Sequence, residues 1–310
     1  MVFTSVSDWI KERVGSGSKA ASIIISHFGD VVVPHGGAIA LGSLVDAGLL
    51  AGMNEQTIRS TVNRLIADGW LTSEAQGRRS IYRFSEAGFK RFLSAAPRIY
   101  QNANDPWSGE WHIVVVSNQE IEHDQYVRHV HDLMWSGFGK VAENVFIRPK
   151  LSDKGVCCNG ELDDATSRAV VFFSGRTESC QRKEPIQSMI KRAWDLNTVE
   201  SRYAAFIERY ESLLAAVWKN PRLPGPQAFV IRMFMMHDFR RIRIADPLLP
   251  AELLSDTWKG GRAFYIAHEL YDLLLPSSEQ YVLEKMSGAA GRIPRVDSSF
   301  YDRFGGLTRP

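Results

Sequence analysis

The side chains of this chain that are best suited to chemistry bind rather than cleave. Residues 54–69, NEQTIRSTVNRLIADG, read as a helix at about 100° per residue, which places Ile58, Val62, Leu65 and Ile66 on one apolar stripe. Gln56, Thr57, Ser60, Asn63 and Arg64 fall on the opposite face, with Arg59 on the flank. Helix faces that only meet solvent are usually rich in Glu and Lys. Short amides, hydroxyls and a guanidinium instead match the edges of base pairs and the oxygens of phosphates. The segment that follows, WLTSEAQGRRSIYRF, reads as strand, turn and strand, with Arg78 and Arg79 at the tip, where guanidinium groups reach phosphates or a minor groove.

A second set is less specific. Arg232, Arg240, Arg241 and Arg243, with His237, occur in a region that also supplies Trp194, Tyr203, Met233 and Met236. Arginines among such apolar side chains serve in ion pairs around an ordinary core.

Other candidates carry little. Cys157, Cys158 and Cys180 are too few and wrongly spaced for a zinc ribbon or a disulfide framework, and read as reduced thiols. His129 and His131 would point to opposite sides of a helix, so no metal is expected. Asp163 and Asp164 follow Asn159-Gly160 in a polar stretch and read as a solvated loop. No catalytic residue and no cofactor is assigned.

The elements that must position these residues follow from periodicity and breakers. KAASIIISHF, residues 19–28, is a first helix stopped by Gly29-Asp30; residues 40–50 form a second; Asn54 caps the third, which closes at Gly69. Ser85 caps a further helix to about Ala96, and Pro97 with the run 102–106 marks a linker. Strands at 111–117, 145–149 and 168–173, with a helix at 122–135, make a small sheet domain. Helical patterns then cover 187–218 and an amphipathic stretch ending at Asp246-Pro247, and the tail beyond about residue 275 is expected to be mobile. The fold class expected is α+β, with a winged helix-turn-helix over 1–100, a central sheet domain over 106–180 and a mostly helical, effector-sensing domain over 185–310.

Bulk properties narrow the function. The 310 residues carry a net charge of +2, too little to coat nucleic acid everywhere, so affinity for DNA must come from the local cluster between Glu55 and Arg91. Apolar runs such as Ile113–Val116 and Val170–Phe173 are strand-sized, so no membrane span is expected. The beginning of the sequence lacks the pattern of a secretory signal, which points to the cytoplasm. One winged helix reads only a short half-site, so a homodimer on an inverted repeat of double-stranded operator DNA is expected.

The run from FGDVVVPHGG through the third helix to DGWLTSEAQGRRSIYRFSEAGFKRF closely resembles the PaaX family, the phenylacetic acid catabolism repressors, whose amino-terminal domain is GntR-like. The resemblance continues through PWSGEWHIVVVS, GFGKVAENVFIRP, AWDLNTVESRYAAFIERY and DPLLPAELL, covering roughly residues 18–275. It implies a central ferredoxin-like α/β sandwich of βαββαβ plan that makes dimer contacts, similar to a CRISPR-associated nuclease. It also implies release from the operator by an aromatic acyl-coenzyme A ester, chiefly phenylacetyl-coenzyme A, or a related aromatic acid. Trp194, Tyr203, His237, Arg240, Arg241 and Arg243 are the effector-binding candidates under that reading, cations for the phosphates of such a ligand and apolar walls for its acyl group, although ion pairs around a core account for the same arginines equally well. The alternative is a metal-dependent nuclease. It is weakened because the first strand of the central domain ends Val116-Ser117-Asn118 with no carboxylate to hold a metal.

Overall fold

The computed structural model describes residues 6–15, 20–77, 79–101, 107–117, 122–150, 170–177 and 184–309, and these combine helices with antiparallel sheet in an α+β fold. Packing divides the chain into two units, the first of Met1–Asn102, Arg202–Ile244 and Lys259–Pro310, the second of Ala103–Ser201 and Ala245–Trp258. The stretch 185–310, expected as one domain, thus contributes to both.

The first unit opens with α1 (Val6–Gly15) and α2 (Ala20–His27), which runs into a π-helical turn, Phe28–Val32. Strand β1 (Ile39–Ala40) leads to α3 (Leu41–Leu50) and α4 (Glu55–Ala67). Asn54 caps α4 by accepting the Thr57 N–H at 2.7 Å. Gly69 closes it at φ +70°, a conformation that favours glycine. Helices α3 and α4 meet at Gly48, where a Cβ would stand 2.5 Å from Cδ1 of Ile58. Strands β2 (Leu71–Gln76) and β3 (Arg79–Phe84) pair antiparallel from Leu71↔Phe84 to Gln76↔Arg79, and β1 joins the far side of β3. Helix α5 (Glu86–Tyr100), capped by Ser85, continues through Pro97 instead of ending before it. Its last turn holds the buried Ile99 and Tyr100, and that packing outweighs the hydrogen bond proline removes.

The second unit is built on a four-stranded sheet of β4 (Glu110–Val116), β5 (Gly139–Ala142), β6 (Val145–Pro149) and β7 (Val170–Arg176), in the order β5-β6-β4-β7. That order, with α6 (His123–Trp135) between β4 and β5, is the ferredoxin-like one. The period of two splits β4 cleanly. Val114 and Val116 join Phe138 and Phe146 under Tyr126, Val130 and Leu133 of α6. Trp111 and Ile147 lie on the opposite face with Trp194, Leu249 and the buried side chains of α7 (Glu184–Ala193).

The long apolar patterns supply the rest of the first unit. Helix α8 (Leu196–Lys219) buries Tyr203, Phe206, Tyr210, Leu213, Leu214 and Val217. In α9 (Gly225–Ala245) every residue from Ala228 to His237 is buried, so the helix read as amphipathic is instead surrounded by protein on all sides. Helix α10 (Gly260–Lys285) runs through Pro276. The segment after it, expected to be mobile, forms a short β8–β9 pair (Ser287–Gly288 and Gly291–Arg292) and a 3₁₀ stretch, Ser298–Gly305. Phe300, Phe304 and Leu307 are buried there, and Phe304 packs on the rings of Tyr100, Phe239, Phe264 and Tyr271. Aromatic anchors spaced among Gly, Ser and Asp hold this segment although its average composition is that of a loop. No helix among the described residues is long and apolar enough to cross a membrane.

Candidate nucleic-acid interface

Helix α4 buries Ile58, Thr61, Val62 and Leu65 and leaves Gln56, Arg59, Ser60, Asn63 and Arg64 exposed, with Thr57 half-buried. The polar side is therefore an accessible face backed by a fixed core stripe. Arg59 is turned along the helix, its Nε 2.8 Å from Glu55 Oε1. An exposed pair of this kind contributes only about 0.3–0.5 kcal/mol, so a phosphate easily displaces the carboxylate. The Ser60 hydroxyl donates to the Thr57 carbonyl at 3.1 Å. Arg64 and Arg79 are exposed, and neither takes part in an ion pair among the described residues. Arg78 lies outside the described residues. The face thus offers hydrogen-bonding groups and positive charge, on a helix whose N-terminus is capped and whose position is set by α2 and α3.

The six effector candidates are divided between the two units. Trp194 belongs to the second unit, where its indole N–H donates to the Gly137 carbonyl at 3.3 Å. The other five belong to the first. Tyr203 is fully buried in α8. Arg240, Arg241 and Arg243 diverge because neighbouring residues on a helix are rotated apart. Arg240 donates to Ser22 and Ser26 of α2 at 2.9–3.4 Å, and burial lowers its pKa to about 10. Arg243 is buried, with its guanidinium on the carbonyls of Arg98 and Gln101. Only Arg241 is exposed. His237 is buried beside Ser26, with 3.3 Å between Nδ1 and Oγ.

Sequence reasoning missed a buried ionic network centred on Asp30, the acidic residue of the FGD segment. Arg232 donates from Nε to Asp30 Oδ2 at 2.9 Å, from Nη1 to Glu279 Oε1 at 2.7 Å, and from Nη2 to the Tyr271 hydroxyl at 2.7 Å. Arg303 reaches Asp30 Oδ1 at 3.0 Å and the Tyr271 hydroxyl at 3.0 Å. The hydroxyls of Tyr100 and Tyr271 both donate to Asp30 Oδ1. His35 faces two acceptors, the Val31 carbonyl at 2.6 Å and Glu279 Oε2 at 3.0 Å. Burial alone would raise the Glu279 pKa, but the hydrogen bond to His35 and the charge of Arg232 outweigh it and bring it to about 2. Two guanidinium groups and His35 thus surround two carboxylates, and the network ties the π-helical turn after α2 to α5, α9, α10 and the C-terminal segment. The available signal was an arginine inside the apolar run FVIRMFMM: a charge there is buried with a partner or not at all.

Among the described residues, no group of three His, Cys, Asp or Glu side chains is placed to hold a metal ion, and the three cysteines lie outside them.

Three family models match the chain in order: PaaX-like protein over residues 19–88, the PaaX protein central Cas2-like domain over 104–186, and the PaaX-like protein C-terminal domain over 194–284. The chain is 29% identical over 291 residues to the transcriptional repressor PaaX of Escherichia coli (strain K12), an alignment covering 92% of this chain and 90% of that protein. A solved structure of an uncharacterized protein from Mycobacterium tuberculosis matches 77% of this chain and 89% of its own, at 23% identity and a TM-score of 0.44.

Proposed function

The chain belongs to the PaaX family, and from that premise we propose that it is a cytoplasmic, DNA-binding transcriptional repressor of phenylacetic acid catabolism. It reads its operator with a winged helix and is released by an aromatic acyl-coenzyme A or a related aromatic acid. The observation that carries the reading is the exposed polar face of α4, backed by a buried stripe and followed by a hairpin that presents Arg79. In this role Gln56, Ser60, Asn63 and Arg64 meet base edges, and Arg59, Arg78 and Arg79 meet phosphates. The curated repressor aligned along nine-tenths of its length is a regulator and not an enzyme, which supports the same reading over a nuclease.

The test uses the promoter region of a phenylacetate-degradation operon as the probe in a mobility-shift assay. Binding in the nanomolar range, reversed by micromolar phenylacetyl-coenzyme A, is the expected result. Failure to prefer that promoter over unrelated DNA of equal length removes the operator reading. Unaltered binding in the presence of phenylacetyl-coenzyme A, free phenylacetate and related esters removes the effector.

The second unit supports the homodimer. Among the described residues strand β7 is an edge strand, and Val171, Phe172 and Phe173 are 53, 40 and 52% exposed. An apolar edge of this kind invites pairing with a second strand of the same sequence. Phe172→Glu with Phe173→Glu is expected to convert a dimer into a monomer by light scattering and to weaken operator binding at least tenfold. A wild type that is monomeric both free and on DNA would sink the dimer.

A further inference from the structure

The seam between α2 and α9 is lined by Ser26, His27, Val31, Phe229, Met233 and Met236, with Asp30 and Arg232 completing it, and it is too narrow to hold a water molecule. His27 is 2% exposed, and neither of its ring nitrogens has a hydrogen-bond partner. A neutral imidazole carries one donor and one acceptor, and here both are unmet in a dry interior, which natural cores rarely tolerate without a reason. The neighbouring His237 repeats the pattern: its Nδ1 is 3.3 Å from Ser26 Oγ, and its Nε2 is buried without a partner. Burial, reinforced by the charges of Arg232 and His35 and opposed by Asp30, holds the His27 pKa down to about 4, so the ring is uncharged at neutral pH. The remaining walls are two methionines, whose flexible thioethers re-pack easily, and Phe229, whose ring meets His27 edge-on at a centroid separation of 5.7 Å.

We propose that this seam is the binding site for the uncharged aryl-acyl end of the effector, closed in the free chain, with His27 as the hydrogen-bonding anchor. Met233 and Met236 swing aside, the aromatic ring packs on Phe229, and the His27 N–H donates to the acyl carbonyl. Helix α2, which supplies His27, packs directly on α4. Prising α2 from α9 therefore moves the helix that presents Asn63 and Arg64, so ligand entry and operator release become one event. The inference rests on the reading of the chain as an effector-released repressor.

The experiment compares the full-length wild type with His27→Leu, His27→Gln and Met233→Phe for operator affinity and for the concentration of phenylacetyl-coenzyme A that releases the operator. His27→Leu is expected to keep operator affinity within about threefold and to raise the releasing concentration tenfold or more, consistent with losing one anchoring hydrogen bond. His27→Gln, which keeps a donor and an acceptor, recovers part of the response. Met233→Phe fills the seam from the other wall and blocks release even if His27→Leu folds poorly. Release of His27→Leu and Met233→Phe at the wild-type concentration overturns the site while leaving the functional reading intact. A wild type that does not respond to phenylacetyl-coenzyme A overturns both.

Discussion

Arg232→Met is expected to lower the unfolding free energy of the chain by about 3–5 kcal/mol, read by urea denaturation followed through helical circular dichroism, because it leaves two carboxylates buried without their shared cation. Arg232 is 1% exposed and its three nitrogens bond Asp30, Glu279 and Tyr271. Once it is gone Asp30 retains only Arg303, and Glu279 retains only His35 among its charged partners. Arg232→Lys is expected to recover only part of the loss, since an ammonium group cannot reproduce the planar fork that serves three acceptors at once. The same network sets a dependence on acid. The Glu279 pKa lies near 2 in the folded chain against an ordinary 4.5. A depressed carboxyl pKa stabilises the fold above the unfolded value, and that contribution is lost as pH falls from about 4.5 through 2. Glu279→Gln should flatten the slope of stability against pH across that window. A loss below about 1 kcal/mol for Arg232→Met would show that the network is not a determinant of the fold.

Asn63→Ala combined with Arg64→Ala should weaken operator binding by roughly a hundredfold or more, because each base contact contributes about 1–3 kcal/mol of discrimination. Both side chains are exposed on α4, so the thermal midpoint should scarcely move. Arg79→Ala provides the contrast. A hairpin arginine on a phosphate supports all sequences alike, so its loss should weaken specific and non-specific binding together and reduce the salt slope by about one unit. Arg59→Ala should have a smaller effect, since its guanidinium must first leave Glu55. Unchanged affinity in the Asn63, Arg64 double variant would remove α4 from the reading surface.

Helix α4 was legible because everything that defines it is local: the Asn54 cap, the 3.6-residue stripe and Gly69 lie within sixteen residues. The hairpin was legible for the same reason, and so were β4, β6 and β7 of the second unit, whereas the four-residue β5, which starts at Gly139, was missed. The Asp30 network was not, because its members are 202, 241 and 273 residues from Asp30 along the chain. The run FVIRMFMM signals that Arg232 is enclosed, but nothing local says which of the chain's carboxylates meets it. The division of the C-terminal helices between two units was hidden likewise, since Trp194 and Tyr203 were read within one helical pattern over 187–218, whereas a break at residues 194–195 parts them and they fill different cores.

The position of Arg303 has a consequence for the order in which the protein becomes functional. Asp30 leaves the ribosome early, whereas the guanidinium that completes its charge balance is synthesised 273 residues later. At about 5–20 residues per second that is a delay of roughly 15–50 seconds, during which the turn after α2 holds a carboxylate whose counter-charge is incomplete. A product cut short before Arg303 leaves Asp30 with Arg232 as its sole cation. Such a fragment is expected to be less stable than the whole chain and therefore to be cleared faster by cellular proteases.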